Sequence, residues 1–296
     1  MTSLSELKKN SSIEKLTKAL AETQKFKEDE RFWQPHVDKA GNGFAVIRFL
    51  DTPPQDGNDG LPWIHYYAHG FKGPTGLWYI ENSLTTLGKD DPASEFNTRL
   101  WNTEIESNRK LASKQKRKLN YISNIMVVTD SNNKDNEGKV FLFRYGKKIY
   151  DKIKEKLEPN PVFEDEKSVN VFNLWEGMNF KLKIRQVEGY RNYDQSAFDA
   201  QSPIASTDEA IEKIWNQCYS LKEYYNSLVF KTYEQLKDRL DKVMGTDGSP
   251  AAAGTAEDTS ITDDGVDDAM ASATEGSTEL SDDDELFKRL GKASKE

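Results

Sequence analysis

Basic and aromatic residues are interleaved in three stretches of this 296-residue sequence. Residues 108–121 hold six lysines or arginines and no acidic residue, and they end at a tyrosine. Residues 139–149 and 179–193 repeat the combination. Aromatic rings stack on unpaired bases at about 1–3 kcal/mol per base, while lysine and arginine neutralise phosphates. The pattern predicts a groove for single-stranded nucleic acid. The predicted contacts are Lys116, Arg117, Lys118, Tyr121, Phe143, Arg144, Tyr145, Lys147, Lys148, Tyr190 and Tyr193.

Strand alternation leaves two interpretations of these rings. Phe141, Phe143 and Tyr145 share one face of a predicted strand, and one of its two faces must meet the core. Core packing and base stacking account equally well for Phe141. Tyr190 and Tyr193 lie in a predicted Gly-Tyr-Arg-Asn-Tyr-Asp loop, where we expect them at the surface rather than in a core.

Two other functions are compatible with parts of the pattern. An RNA-binding protein or general nucleic-acid chaperone would use the same residue types, and competition binding would distinguish them. A nuclease would need paired carboxylates at fixed strand positions beside the basic residues, but the acidic residues concentrate near the C-terminus. Walker, Gly-x-Ser-x-Gly and His-Glu-x-x-His motifs are absent from the sequence, so we expect a binding protein rather than an enzyme.

Histidine and cysteine give little indication of a metal site. His65 and His69 are four residues apart, which would pair them on a helix, but their surroundings are typical of a strand. Residues at that spacing in a strand lie roughly 13 Å apart. Cys218 is the only cysteine, which excludes intramolecular disulfides and sites with several thiolate ligands.

The elements that carry these residues are predicted to be short strands and peripheral helices. Strands are expected over 40–50, 61–71, 76–81, 121–128, 139–146 and 179–187, because each is rich in β-branched or aromatic residues and bounded by turn residues. In the last of them Phe180, Leu182 and Ile184 should face inward. Helices are expected to begin at Ser206 and Thr232. This order indicates an α+β domain built around a small barrel or curved sheet.

Both ends of the chain differ from its middle. Residues 245–296 hold 14 acidic and 4 basic residues, a net charge of −10, whereas the other residues sum to +1. Residues 245–279 lack aromatic and basic residues, so we expect disorder there. The tip combines acidic and apolar residues at helical spacing, which suggests either partner binding or a solubilising tail. The tip residues are Asp282, Asp283, Asp284, Glu285, Leu286, Phe287 and Leu290.

The N-terminal segment is predicted to be a short basic helix. Ser11 and Glu14 fit a capping box, but a three-turn helix is only marginally stable alone in water. It could pack on its own domain or on a neighbouring molecule. No secretory signal precedes it and no stretch approaches the ~18 apolar residues of a membrane span, so we expect a soluble protein of a reducing compartment without membrane partners.

Five blocks occur in an order that resembles the single-stranded DNA-binding proteins of T-even-type bacteriophages, the helix-destabilising replication proteins. The blocks are AGNGFAVIRFL, HGFK with GLWYIE, KRKLNYISNIMVVTD, NEGKVFLFRYGKKIYDKI and WEGMNFKLKIRQVEGYRNYDQSAF. The resemblance runs from about residue 8 to Gly245. It implies an OB-fold-type barrel core between a basic N-terminal arm and a disordered acidic tail. It also implies cooperative, sequence-independent coating of single-stranded DNA during replication, recombination and repair, in the cytoplasm of an infected bacterium.

The resemblance further assigns three segments. Residues 1–24 would mediate head-to-tail self-association, residues 25–244 would bind DNA, and residues 245–296 would bind replication proteins such as helicase loader, polymerase and recombinase. The family's stacking aromatic residues correspond to Phe143, Tyr190 and Tyr193, and one aromatic position is occupied by Ile122. The self-association motif corresponds imperfectly to Lys8, Lys9, Asn10, Ser11 and Ser12.

One departure concerns zinc. The family holds a zinc ion on one histidine and three cysteines within the segment equivalent to residues 61–120. His69 matches the histidine, but the cysteine positions fall near Ser83, Asp91 and Ser94. Serine does not replace a thiolate ligand. We therefore expect no metal cofactor. We expect aromatic packing to hold this segment instead, through Trp63, Tyr66, Trp78, Tyr79 and Trp101.

Overall fold

The computed structural model describes residues 29–160, 167–187 and 190–246. By its contacts the chain divides into residues 1–31 and residues 32–296. Of the first unit only residues 29–31 are described, and there the Arg31 guanidinium pairs with the Asp29 carboxylate at 2.6 Å. The predicted N-terminal helix, Tyr190's side chain and the acidic tail lie outside the described part of the molecule.

The second unit contains a curled antiparallel sheet of eight strands. The 13-residue strand β4 organises it: one edge pairs with β2 near its start and with β1 near its end, while the other edge pairs with β5. The sheet continues from β1 through β6 to β7 and β8. The strands are β1 Gly43–Phe49, β2 Ile64–Lys72, β3 Trp78–Asn82, β4 Lys118–Asp130, β5 Val140–Gly146, β6 Met178–Val187, β7 Tyr190–Asn192 and β8 Ala197–Gln201.

Six α-helices surround this sheet in the described residues. Their bounds are α1 Pro92–Asn102, α2 Glu106–Gln115, α3 Lys147–Leu157, α4 Asp208–Trp215, α5 Leu221–Ser227 and α6 Tyr233–Met244. The α6 helix begins with the predicted capping box between Thr232 and Gln235 and ends at Gly245, which adopts a left-handed conformation with φ 71°. The predicted cap at Ser206 is wrong by one residue, because Thr207 accepts the Ala210 N–H at the start of α4.

The strand predictions are confirmed for the six main strands, and the α+β class is confirmed with them. In β6 the apolar residues at alternate positions are buried, as period-two alternation requires. The interpretation of residues 190–193 as a loop is wrong, because β7 forms a hairpin with the end of β6, pairing Val187 with Tyr190 and Gln186 with Arg191. Strand β8 and helices α1, α2, α3 and α5 have no counterpart among the predicted elements.

The concave side of the sheet encloses the largest apolar cluster, which we call the sheet core. Its rings meet in edge-on and tilted arrangements around Phe49, which contacts Phe143, Tyr145, Phe172 and Phe180 at centroid distances of 5.5–6.5 Å. Burial of these rings is the main source of stability of the sheet. Its buried members are Trp33, Ala45, Ile47, Phe49, Tyr121, Ile125, Val127, Phe143, Tyr145, Ile149, Ile153, Val171, Phe172, Phe180, Leu182, Ile184 and Tyr193.

A smaller cluster, the corner core, lies where β2, β3 and α1 meet α6. It corrects the expectation that five aromatic residues hold residues 61–120 together. Only Tyr79 of those five belongs to it, because Trp63 packs on the sheet core and Tyr66 belongs to a third cluster on the other side of β4. The C-terminal helix α6 supplies the missing apolar surface. The corner core consists of Phe71, Tyr79, Leu84, Ala93, Leu236, Leu240 and Val243.

Candidate nucleic-acid interface

Strand register gathers five of the predicted basic contacts at one end of the β4–β5 pair. Asn120 of β4 lies opposite Gly146, the last residue of β5. Lys116, Arg117 and Lys118 precede Asn120 along one chain segment, and Lys147 and Lys148 follow Gly146 along the other. We call these five residues the basic end. Residues about thirty apart in sequence thus form one cationic surface, which is the arrangement needed to follow a phosphate backbone.

Acidic groups pair with two lysines of this surface. Lys147 Nζ pairs with the Asp151 carboxylate at 2.8 Å across one turn of α3. Lys148 Nζ lies 3.9 Å from Asp194, and the carbonyl of Asp194 also accepts a hydrogen bond from Lys152 Nζ. These contacts bring the segment after β7 against α3, so that Tyr193 and its neighbours border the basic end. Exposed ion pairs of this kind are worth little, and a phosphate could replace either carboxylate.

Two arginines of the predicted site lie over aromatic rings. The Arg117 guanidinium sits 4.2 Å from the Tyr67 ring centroid, and that of Arg144 sits 5.3 Å from Phe32. Arg144 is exposed and points away from the sheet core, because it alternates with Phe143 and Tyr145 along β5. Cation–π contact restrains each guanidinium beside a flat apolar surface, a geometry that suits stacked bases flanked by phosphates.

The rings of Phe143 and Tyr145 are placed differently from their predicted role. They are 3% and 1% exposed and lie inside the sheet core. Phe143 contacts Trp33 at 5.5 Å and stacks on Tyr145 at 5.6 Å. A base needs an open ring face, and these two rings have none in this structure. Their assignment as stacking residues is therefore corrected to a role in packing, because β5 turns this side chain row toward the interior.

Tyr121 and Tyr193 are also largely enclosed, at 7% and 9% exposure. The expectation that Tyr193 lies at the surface is wrong, because its ring joins the sheet core. Tyr121 stacks on Tyr150 of α3 with centroids 3.9 Å apart and planes within 7°. Burial, with Tyr150 and Asp151 nearby, raises the pKa of Tyr121 well above its ordinary value, so its hydroxyl remains neutral.

Two half-buried rings that were not predicted as contacts border the basic end. Tyr150 continues the Tyr121 stack outward, and Trp63 meets Tyr150 at 5.8 Å with an interplanar angle of 66°. The sequence predicts that Trp63 helps to hold the segment 61–120, and it predicts no role for Tyr150. The available signal was helical spacing: Tyr150 follows Lys147 by three residues on α3, which places the ring and the cation on neighbouring positions of one helix.

A buried polar cluster lies beside the basic end, between β2, α1 and the end of α2. Asp91 Oδ1 accepts the N–H groups of Ala93 and Ser94 and lies 3.2 Å from His69 Nε2. Its Oδ2 accepts Ser83 Oγ and the Leu84 N–H. Burial acts to raise the pKa of Asp91, but His69 and these N–H groups outweigh it and hold that pKa well below its usual range.

His69 and Asn97 extend the cluster to the end of α2. His69 Nδ1 and Asn97 Nδ2 both donate to the carbonyl oxygen of Gln115, each at 3.0 Å. His69 Nε2 also lies 3.3 Å from Ser94 Oγ. We call His69, Ser83, Asp91, Ser94, Asn97 and Gln115 the polar cluster.

The polar cluster coincides with the positions where the resemblance implies zinc, yet its donor set does not fit that ion. It supplies one imidazole, one carboxylate and two hydroxyls, and both imidazole nitrogens and both carboxylate oxygens are already engaged in hydrogen bonds. Cys218 lies in another cluster, with Leu50 and Met126, where burial raises the pKa of its thiol to about 12. Across the described ranges no three His, Cys, Asp or Glu side chains form a potential metal site.

A curled antiparallel sheet with a cationic end bordered by aromatic rings is typical of β-sheet nucleic-acid-binding proteins. The family profile described as gp32 DNA binding protein like matches residues 41–244. The chain belongs to this gp32-like DNA-binding family.

Proteins from several bacteriophages are similar to this chain in sequence. The chain is 41% identical over 235 residues to the single-stranded DNA-binding proteins of Enterobacteria phage T2 and Enterobacteria phage T4, an alignment that covers 77% of this chain and 75% of each relative. It is also 41% identical over 81 residues to the single-stranded DNA-binding protein of Escherichia phage SV14, covering 26% of this chain and 68% of that protein. In the described part of the chain, none of the helices combines the length and hydrophobicity needed to span a membrane.

Proposed function

We propose that this protein binds single-stranded DNA without sequence preference and coats it during phage DNA replication, recombination and repair. The observation that carries the proposal is the basic end, where cations from β4 and α3 adjoin the half-buried rings of Trp63 and Tyr150. Membership of the gp32-like DNA-binding family and the names of the phage T2 and T4 relatives support DNA as the ligand. The protein acts by binding rather than by catalysis, in the cytoplasm of the infected bacterium.

Binding uses two interactions at this surface. Lysine and arginine side chains of the basic end neutralise successive phosphates and release counterions, which makes the affinity depend strongly on salt. Bases splayed from the backbone stack on the half-buried rings of Trp63 and Tyr150 rather than on the enclosed rings of Phe143 and Tyr145. The pairing of β4 with β1, β2 and β5 supports an OB-fold-type barrel as the scaffold.

The terminal segments complete the proposal. Residues 1–24 mediate head-to-tail self-association on DNA, supported by the basic residues Lys8 and Lys9 beside a segment whose sequence predicts a helix too short to be stable alone. The tail, with net charge −10, binds replication proteins through its acidic and apolar tip.

Deleting residues 1–24 should weaken binding to long single strands while sparing a one-site oligonucleotide. Deleting residues 246–296 should abolish capture of polymerase or helicase loader. Unchanged results with either deletion would refute the corresponding role.

Titration with oligo-dT at several salt concentrations, followed by intrinsic tryptophan and tyrosine fluorescence, tests the proposed function. Lys116→Ala should weaken binding and lower the steepness of the log–log salt plot by about 0.7, the value for one phosphate contact on a single strand. Lys139→Ala is the matched control, because Lys139 is exposed at the opposite end of β5. Equal slopes for both variants would exclude the basic end as the phosphate site.

The stacking contribution has its own pair of variants. Tyr150→Leu keeps apolar bulk but removes the ring, and we expect it to cost about 1–3 kcal/mol of binding free energy. Trp175→Leu is the control, because Trp175 is 52% exposed and its Nε1 donates to Asp208, away from the basic end.

Competition binding distinguishes DNA from RNA as the ligand. If oligo-U competes as strongly as oligo-dT, the protein does not prefer DNA and the alternative of an RNA-binding protein is favoured.

A further inference from the structure

The carbonyl oxygen of Gln115 is held by two buried side chains. It belongs to the last residue of α2, where carbonyl groups have no partner within the helix. His69 Nδ1 reaches it from β2 and Asn97 Nδ2 reaches it from α1, each at 3.0 Å. All three residues are buried, so neither donor is exchanged for water in the native state. Two separate elements therefore fix one backbone atom.

This atom lies where the chain turns from α2 toward the DNA-binding surface. Lys116 leaves the helix with φ −55° and ψ 139°, and β4 begins two residues later at Lys118. The backbone of the basic segment thus starts at the fixed carbonyl and ends in the pairing of Lys118 with Ala68 on β2. Loss of the first attachment would leave this three-residue segment held at one end only.

Asp91 fixes His69 from the other side of its ring. The carboxylate that faces His69 Nε2 is itself held by the N–H groups of Leu84, Ala93 and Ser94 and by the Ser83 hydroxyl. A side chain with this many hydrogen bonds has little freedom to rotate, so Asp91 Oδ1 is held at a fixed position 3.2 Å from His69 Nε2. The ring of His69 is therefore oriented for Gln115 by a rigid partner.

We propose that His69 and Asn97 are positioning residues. By holding the Gln115 carbonyl, they fix the backbone of Lys116, Arg117 and Lys118 in the position needed for phosphate binding. In this corner hydrogen bonds take the place of the zinc ion that the family resemblance implies, since the donor set does not fit zinc. The inference rests on the proposed function, because positioning matters only if the basic segment contacts DNA. Asp91 acts indirectly, by orienting His69.

Two substitutions of His69 separate its two hydrogen bonds. Asparagine carries its amide nitrogen near the position of Nδ1, and glutamine carries it near Nε2. His69→Asn should therefore preserve much of the contact with Gln115, whereas His69→Gln should lose it. Asn97→Ala removes the second donor to the same carbonyl without touching His69. Asp56→Asn is the matched control: Asp56 accepts the N–H groups of Leu221 and Lys222 at the start of α5, so its loss weakens a helix cap elsewhere.

Native-state trypsin cleavage after Lys116, Arg117 and Lys118 reports the segment without requiring DNA. Each purified full-length variant is digested at a temperature where its melting curve shows it fully folded, and cleavage sites are assigned by mass spectrometry. His69→Gln and Asn97→Ala should accelerate cleavage at these three sites by roughly threefold to tenfold, the effect of one lost hydrogen bond. His69→Asn should change it less. Asp56→Asn should lower the melting temperature and leave these sites protected.

Oligo-dT affinity under the same conditions completes the test. We expect weaker binding in His69→Gln and Asn97→Ala, in the same order as their cleavage rates, and unchanged binding in Asp56→Asn. A lower melting temperature with unchanged cleavage and affinity would overturn the positioning role and leave a contribution to stability only. Stoichiometric zinc in the wild-type protein by elemental analysis after dialysis would overturn the replacement of the metal. Failure of the wild-type protein to bind oligo-dT would instead refute the proposed function, while the cleavage result still decides whether the carbonyl is held.

Discussion

The sheet core and the corner beside it, which comprises the corner core and the polar cluster, are both buried, but different interactions hold them together. The sheet core is closed by aromatic rings from β1, β4, β5 and β6, and the hydroxyl of Tyr145 within it forms a hydrogen bond of 2.9 Å with the Ser123 hydroxyl. The corner joins a smaller apolar cluster to a buried network of histidine, carboxylate, amide and hydroxyl groups.

This difference follows from the secondary-structure elements that build each region. A curled sheet presents whole rows of side chains to its interior, so ring contacts suffice. The corner is built from two strands and three helices, and it must also satisfy backbone groups at the start of α1 and the end of α2. Buried polar groups orient partners more specifically than apolar contacts do, but each one left unpaired is costly. The corner should therefore be the region more sensitive to conservative polar substitutions.

The largest expected effect comes from truncating a ring of the sheet core. Phe143→Ala should lower the free energy of unfolding by about 3–5 kcal/mol, because it leaves a cavity among packed rings. Chemical denaturation monitored by circular dichroism measures this. A variant of unchanged stability that binds oligo-dT less tightly would restore Phe143 to the stacking role predicted from sequence.

A smaller loss is expected from one conservative change in the corner. Asp91→Asn keeps the size of the side chain but turns one accepting oxygen into a donor that faces other donors. The free energy of unfolding should fall by about 2–3 kcal/mol, since hydrogen bonds to a charged group are lost in a buried place. The same denaturation experiment with Asp56→Asn, a partly exposed helix cap, should show a smaller loss. Equal losses would show that burial of the network adds nothing.

The smallest effects should differ in sign between the two regions. Among the described residues nothing accepts a hydrogen bond from the buried hydroxyl of Tyr79 in the corner core, whereas Tyr145 is bonded to Ser123. Tyr79→Phe should raise the free energy of unfolding by about 1 kcal/mol, and Tyr145→Phe should lower it by about the same amount. Thermal melting of both variants beside the wild-type protein measures this. Destabilisation by both would contradict the proposed contrast in hydroxyl pairing.

Most strands of the sheet could be predicted from the sequence, because strand alternation and helix capping depend on residues that are close together along the chain. The alternation of Phe180, Leu182 and Ile184 with lysines identifies β6 and its inner face, and Thr232 with Gln235 identifies the start of α6. The short β7 was missed because three residues carry too little periodicity to distinguish a strand from a loop. The shift from Ser206 to Thr207 reflects two adjacent residues that are equally able to cap a helix.

The candidate site divides in the same way. The basic residues at 116–118 and 147–148 were identified by type, but only the register of Asn120 opposite Gly146 brings them together. Alternation correctly placed Phe143 and Tyr145 on one face and Arg144 on the other. It could not decide which face is open, because apolar clusters cover β4 and β5 on both sides and each face reads as a core.

The sequence by itself determined the positions of six strands, the basic residues of the candidate surface, and the presence of a single cysteine, which is too few for a site with several thiolate ligands. The tertiary structure decided which rings are enclosed and what stands in the corner where the resemblance implies zinc. His69, Asp91 and Gln115 are separated by more than twenty residues along the chain at each step, and no local pattern marks them as partners. They meet because β2, α1 and α2 pack around one corner, where hydrogen bonds satisfy the buried Gln115 carbonyl and Asp91 carboxylate.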